Sequence, residues 1–434
     1  MAAFRKVFAD TTPLQTPAFR RLWQAGIVTI IGAQLTVFAV PAQIYAITQD
    51  SGMVGLAGLF GLVPLVVFGL WGGALADHFD RRKLLMMTTT GLIVTSGIFW
   101  IQAALELNNV WLLLGVFALQ QAFFAINSPT RQAVLPRILP EEQLPAANAL
   151  SMTVTAAGGI AGPVVGAALL PALGFSWLYL VDTVTLTATF YAVIKLPALP
   201  VLNRQGSPGL KSVVEGIKYL SWHKILLVSF LVDIIAMIFG MPRALFPEMA
   251  HVTFGGPVSG GMELGLLNVG LGVGAVLGGL FSGWVSRIRR QGIAVIACVL
   301  CWGAAMAAMG VAVELARIWV LAMLIAAFAA LVVGGAADMA SAAFRQAILL
   351  SAADDSVRGR LQGVFIVVVV GGPRIADVLH GYASTLFGPA WTTLGGGLLV
   401  IVLTLLVAWL IPQFTRYQVA PQASEPTAPT GEPK

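Results

Sequence analysis

Charge is what this sequence has least of. Asp, Glu, Lys and Arg make up 10% of its 434 residues, against roughly 25% in an ordinary soluble domain, so the chain cannot clothe a globular surface of this size in water. Soluble enzymes and solvated scaffolds are excluded on that ground. Cysteine is scarcer still: Cys298 and Cys301 are the two present. One helical turn apart in an apolar stretch, with no second pair, they form neither a disulfide framework nor a zinc site, and are expected to pack. His78, His223 and His251 fall near the ends of apolar segments and share no ligand spacing with Asp or Glu, so no metal is expected. The glycine run from Gly270 to Gly279 lacks the Gly-Lys-Ser/Thr ending of a phosphate loop. No cofactor is expected, and any pumping must draw on an ion gradient.

What is present is apolar: 58% of residues are hydrophobic and the mean hydropathy is +0.88. Such a chain is a polytopic all-α membrane protein, because helices satisfy every backbone group without water. Apolar spans fall at about 22–46, 53–76, 84–105, 110–128, 148–171 and 176–196, and again at about 225–247, 263–285, 292–312, 317–338, 361–386 and 391–412, each long enough to cross a bilayer. The expected plan is twelve transmembrane helices in two six-helix halves. The first half takes residues 1–196, a cytoplasmic connector 197–224, the second half 225–416 and a disordered tail 417–434. Pro197, Pro200 and Pro208 interrupt the apolar pattern at the connector. Leu210, Val213, Val214, Ile217 and Leu220 recur within it at the spacing of an amphipathic helix lying on the membrane surface.

A net charge of +6 and a pI near 9.5 could suggest nucleic acid, but the basic residues sit in short clusters between apolar spans, as membrane topology demands. No nucleic-acid partner is expected. All but Arg243, Arg317 and Arg374 of the 25 basic residues fall on one side if both termini are cytoplasmic, which is the orientation the positive-inside rule favours. Residues 1 to about 20 carry no cleavable signal pattern. A monomer in the inner (plasma) membrane is expected, with the lipid bilayer as its surroundings.

Two stretches carry more than topology. Between the second and third spans runs GGALADHFDRRK, in which Gly73 permits close helix packing, Asp77 stands at a helix end, and Arg81, Arg82 and Lys83 resist crossing a bilayer. The fifth span holds Gly158, Gly162, Pro163 and Gly166, small residues at helical spacing around a proline that frees a carbonyl and bends the helix. Their punctuation repeats in the second half: Gly279 to Arg290 follows the eighth span, Arg345-Gln346-Ala347 echoes Arg131-Gln132-Ala133, and Gly372-Pro373 echoes Gly162-Pro163. Duplication of a six-helix unit accounts for all three.

The Gly73, Leu75, Asp77, Arg81 and Arg82 pattern resembles the loop after the second helix of major facilitator superfamily transporters, with His78 and Asp80 where Arg and Gly are usual. Pro17-Ala18-Phe19-Arg20, Val40-Pro41-Ala42-Gln43-Ile44, Leu196-Pro197-Ala198-Leu199-Pro200, Arg243 with Pro247, and Gly359-Arg360-Leu361-Gln362-Gly363 narrow the resemblance to the drug and siderophore exporter branch, most like bacterial enterobactin exporters. The resemblance implies alternating access, a small-molecule substrate and export, with protons as the driving partner and Gly73, Asp77, Arg81, Arg82, Lys83, Arg131 and Arg345 at a cytoplasmic gate. The fourth span departs from many proton-driven drug exporters: it carries Gln120 and Gln121 and no buried Arg. Proton coupling must use other groups.

Ionisable residues inside hydrocarbon are costly and mark functional positions. They are Asp182, Asp233, Arg243, Arg374, Asp377 and His380. Arg374, Asp377 and His380 follow at intervals of three on one helix face, close enough for the first two to pair; the pair either serves coupling or locks the eleventh span to a neighbour. Asp182 and Arg243 stand near the outer ends of their spans, where an interface role competes with substrate contact. Phe123, Phe124, Tyr191 and Phe239 are the aromatic candidates for a substrate cavity. A membrane enzyme would need a catalytic cluster at one interface, and none occurs in the sequence. A non-transporting permease subunit would not need so many buried charges. Siderophore and amphipathic drug both remain open as cargo. Replacing Asp77 by Asn is expected to lower transport in vesicles while the amount of protein in the membrane stays unchanged; normal flux would remove Asp77 from the gate.

Overall fold

A computed structural model describes residues 10–199, 218–352 and 355–418, with backbone alone at 70–78, 284–286, 350, 352 and 355–370. The expected surface helix at 210–220 falls largely outside the described residues, as does the tail beyond 418.

The first four spans are Pro17–Thr48, Ser51–His78, Arg81–Ala104 and Val110–Ile138, and the seventh to tenth are Lys224–Phe239, Met262–Leu280, Gln291–Leu315 and Val320–Ala352. Leu144–Ile194 carries the fifth and sixth spans, turned back at Gly174 with φ 76 and ψ 174. Asp355–Leu410 carries the eleventh and twelfth, turned back at Gly388 with φ 78 and ψ 164. Positive φ with extended ψ is a region that glycine alone enters without strain, so one residue marks the same reversal in each half. Among the described residues ten helical stretches are long and apolar enough to cross a membrane, and the two that turn back raise the crossings to twelve. Helix starts are capped where the sequence supplies an acceptor: Asp80 takes the backbone N–H groups of Arg82 and Lys83 at 2.9 and 3.2 Å, and Asn109 those of Trp111 and Leu112 at 3.0 and 3.1 Å.

Three of the boundaries that differ from the sequence expectation bear on the site. The fourth and tenth spans continue past 128 and 338 to Ile138 and Ala352, so Arg131 and Arg345 lie inside helices and not in the loops that follow them. The seventh span stops at Phe239, where Gly240 and Pro242 break it, and a turn at Arg243–Leu245 leads into the short helix Phe246–Glu248. Cys301 is exposed on the flank of the ninth span and Cys298 is half-buried, so Cys301 does not pack in the interior.

The two halves meet chiefly where the second span crosses the eleventh and the fifth crosses the eighth. Both seams are made of small residues. Gly381 packs on the backbone of Ser51 and Gly55, and Gly265 lies against Ala167 with no room for a side chain on either. In a lipid surrounding, where apolar side chains gain little by leaving lipid for protein, such close backbone approach supplies the dispersion contact that holds helices together.

Inside the first half, the fifth span lies along the first through its glycines. A Cβ at Gly158 would come 2.7 Å from Ile30 Cγ1 and one at Gly166 2.7 Å from Phe38 Cδ1, while Gly162 faces Gln34. The three partners recur every four residues along one face of the first helix, so the glycine row fits a single ridge. Gly162→Leu is expected to part the two helices at a cost of about 1–3 kcal/mol or more of overpacking, and to abolish transport while the protein still inserts. Flux in vesicles beside the amount of membrane-inserted protein tests this; ordinary efflux by the variant would show that the close approach is dispensable.

Candidate substrate cavity and gate

A cavity of about 440 Å³ lies at the junction of the halves, a volume in the range of small-molecule sites. The first half contributes Gln34, Phe38 and Pro41 from the first span, Ala57 and Gly58 from the second, Phe117 from the fourth and Pro163 from the fifth. From the second half come Arg243, Phe246, Asn268, Arg374 and Asp377. Arg374 reaches the cavity because Gly58 and Gly61 clear its path: a Cβ at Gly58 would meet Asp377 Cβ at 2.8 Å and one at Gly61 would meet the Arg374 guanidinium at 3.3 Å. The guanidinium carbon stands 5.4 Å from the centre of the Phe117 ring, a cation–π contact.

The row Arg374, Asp377, His380 does not act as one unit. Arg374 and Asp377 both line the cavity but close no ion pair with each other, contrary to the pairing their spacing suggests; each presents its charge to the cavity. His380 turns away and is buried, its Nε2 donating to the Phe239 carbonyl at 3.0 Å. Arg243 joins the cavity from the turn after the seventh span. The cavity thus holds two guanidiniums and one carboxylate, with two carboxamides and three aromatic rings around them.

Asp233 and Arg345 are elsewhere, and together. Arg345 Nη1 stands 2.6 Å from Asp233 Oδ1, and Nη2 stands 3.7 Å from Asp338 Oδ1. Arg345 therefore joins the tenth span to the seventh inside the bundle and does not stand in a loop. Asp182 is also interior, not at an interface: it is 1% exposed and its Oδ2 accepts from Thr36 at 2.6 Å and Ser96 at 2.9 Å, tying the sixth span to the first and third.

The side chains of Gly73 and Asp77 fall outside the described residues. Arg81 donates to the Ala133 carbonyl at 2.8 Å, Arg82 to that of Ile194 at 2.6 Å, and Arg131 to that of Leu22 at 3.0 Å. The Ile194 carbonyl ends the sixth span, where a helix terminus leaves it unpaired; the Ala133 and Leu22 carbonyls lie within the fourth and first helices and take a guanidinium as an added donor. All of these partners belong to the first half, so the basic turn clamps that half. Lys83 is exposed.

Sequence reasoning missed several groups. Glu248 accepts hydrogen bonds from Ser51 at the start of the second span and from Ser384 on the eleventh, the latter at 3.1 Å, and so joins the halves at the end of the bundle away from the termini. Its signal was a carboxylate directly after Pro247, just beyond the break in the seventh span. Asp338 had the plainer signal of an acidic residue inside an apolar helix. The aromatic candidates were misplaced: Phe124 and Tyr191 are exposed, Phe123 packs on Gly91 and Phe239 packs against the core. Phe38, Phe117 and Phe246 line the cavity in their place.

Twelve crossings in two related halves around a charged central cavity define a major facilitator transporter. A family model described as transmembrane secretion effector matches residues 8–431, and the chain belongs to that family. It is 26% identical over 415 residues to the enterobactin exporter EntS of Shigella boydii serotype 18, covering 93% of this chain and 94% of the relative. It is 25% identical over the same length to EntS of Escherichia coli O81. Among solved structures, the nucleoside transporter NupG aligns with a TM-score of 0.72 at 11% identity over 92% of this chain and 99% of its own. A bacterial homologue of the iron transporter ferroportin, inward-facing, aligns at 0.68 and 13% identity over 90% and 98%. The family and its relatives are membrane exporters, not enzymes.

Glu248→Ala removes the acceptor of the Ser51 hydroxyl, which bridges the halves, and of the Ser384 hydroxyl within the second half, each hydrogen bond to a charged group contributing about 1.5–3 kcal/mol. In a background with Cys298 and Cys301 replaced by Ala, a cysteine at Ala57 in the cavity wall is expected to react about tenfold faster or more with an impermeant maleimide added to the face away from the termini. An unchanged rate would mean that the glycine seams alone hold that end shut.

Proposed function

We propose that this protein is a secondary active exporter that carries a small anionic molecule, a siderophore or an amphipathic drug, out of the cytoplasm by alternating access and in exchange for protons. The convergence of Arg243 and Arg374 on one cavity, with Asp377 as the one carboxylate among the described lining residues, supports this reading. Two cations against one anion leave the empty cavity with a surplus positive charge in a medium of low dielectric, where an anionic cargo is held far more strongly than in water. Phe38, Phe117 and Phe246 suit an aromatic body on that cargo, and Gln34 and Asn268 suit its hydroxyl or carbonyl groups. Enterobactin, named for the relatives, is the first cargo to test, and a panel of amphipathic dyes the second.

The halves at 1–196 and 225–416 are the moving bodies and 197–224 joins them, with both termini in the cytoplasm, the Glu248 seam outward, and the monomer as the working unit in the inner membrane. In the cycle, cargo arriving from the cytoplasm binds the guanidiniums of Arg243 and Arg374, and the two states of the cycle differ in whether Asp377 is paired with them. A carboxylate moved from a paired to an unpaired setting takes up a proton, and it gives that proton back when the pairing returns. Antiport needs the outward move made with cargo bound and Asp377 ionised, and the return made with the cavity free of cargo and Asp377 protonated, so that one proton enters for each cargo released. In proteoliposomes, wild-type protein is expected to accumulate cargo when a proton gradient is imposed. Asp377→Asn is expected to retain exchange of cargo down its own gradient and to lose the proton-driven accumulation. Full accumulation by that variant would reduce Asp377 to a structural neighbour of Arg374.

A further inference from the structure

Arg345 faces two carboxylates on the side of the cavity nearer the termini, and the arithmetic of charge there does not close. Asp233 is 1% exposed and Arg345 5% exposed, while Asp338 is 35% exposed. One guanidinium against two carboxylates leaves one negative charge unanswered in the hydrocarbon depth of the bundle, where a lone charge is costly. The contact between Arg345 and Asp233 is short but outside hydrogen-bond geometry, and Asp233 Oδ2 has no hydrogen-bond donor. Ser341, between Asp338 and Arg345 on the same helix, keeps a buried and unpartnered hydroxyl. A void of about 10 Å³, room for one water, lies against Ser229, Asp233 and Arg345. Among the described residues, the other titratable and charged groups acting on this cluster are Cys298 on the ninth span and Arg243 from the turn after the seventh. The eighth span carries no ionisable residue between Glu263 and Arg287.

We infer that Asp233, Asp338 and Arg345 form a second proton site, separate from the substrate cavity, in which one proton shared by the two carboxylates decides whether Arg345 locks the seventh span to the tenth. With the proton on the half-exposed Asp338, Arg345 belongs to Asp233 and the two helices are tied. When the proton leaves through the water that reaches Asp338, that carboxylate competes for the guanidinium and the tie loosens. One proton is bound and one released per cycle, with no covalent change. The corresponding cation of the first half, Arg131, bonds the Leu22 carbonyl, a partner with no proton to exchange, so the switch exists in one half alone. The inference rests on the reading of the chain as a proton-coupled transporter and concerns where a proton acts.

Spin labels at Met152→Cys on the fifth span and Leu280→Cys on the eighth, both exposed positions, report the separation of the halves in full-length protein with Cys298 and Cys301 replaced by Ala. On acidification the distance distribution of this parent protein is expected to shift. Asp338→Asn is expected to lose the shift and to hold the acid distribution at every pH; Asp338→Glu is expected to restore it. A parent without a shift, or an Asp338→Asn variant that shifts as the parent does, would overturn the inference. Transport of cargo by the same protein in vesicles separately tests the exporter reading, which would stand if only the distance response failed.

Discussion

A charge inside a lipid-embedded bundle must be answered by another charge, a proton or water, and this constraint shapes the structure more than any other. Each interior ionisable group has a distinct answer. Asp182 has two hydroxyls from neighbouring helices. Asp233 has Arg345. Arg374 has the face of Phe117 and the cavity itself. Groups answered from several helices at once rigidify a half, as Asp182 does for the first, third and sixth spans. Groups answered by the cavity are free to exchange partners, which a transporter needs and a scaffold does not.

Glycine sets the second constraint, because charges can be brought together at the junction only if backbones pass close to one another. Gly55 and Gly58 let the second span lie against the eleventh so tightly that Arg374 and Asp377 emerge beside Phe117. The seam between the halves is therefore closely packed, held by dispersion and by the Ser51–Glu248 hydrogen bond.

The architecture was legible in the sequence to the extent that a single chemical demand wrote it. Apolar length gave the spans, and basic clusters pointed to one orientation. The paired motifs at Arg131 and Arg345 and at Pro163 and Pro373 revealed the duplication. The contacts between helices were not legible, because spacing along one helix says nothing about what stands opposite. Thus Arg374 and Asp377 shared a face yet did not pair, and Asp233 and Arg345, 112 positions apart in the numbering of the pair, did. Aromatic residues were misjudged for the same reason: in a bundle surrounded by lipid, Phe and Tyr are as comfortable on the outside as in a cavity, so hydrophobicity does not separate Phe124 from Phe117. Glu248 was hidden by an assumed helix end that Gly240 and Pro242 had already moved upstream.

The central claim is that the two cavity arginines select an anion. Equilibrium binding to the purified protein of an aromatic carboxylic acid and of its methyl ester, matched in shape and differing in charge, tests it most directly. The account predicts tighter binding of the acid by wild-type protein and loss of that preference when Arg243 and Arg374 are both replaced by Gln. Equal binding of acid and ester, or a preference that survives the double replacement, would contradict it.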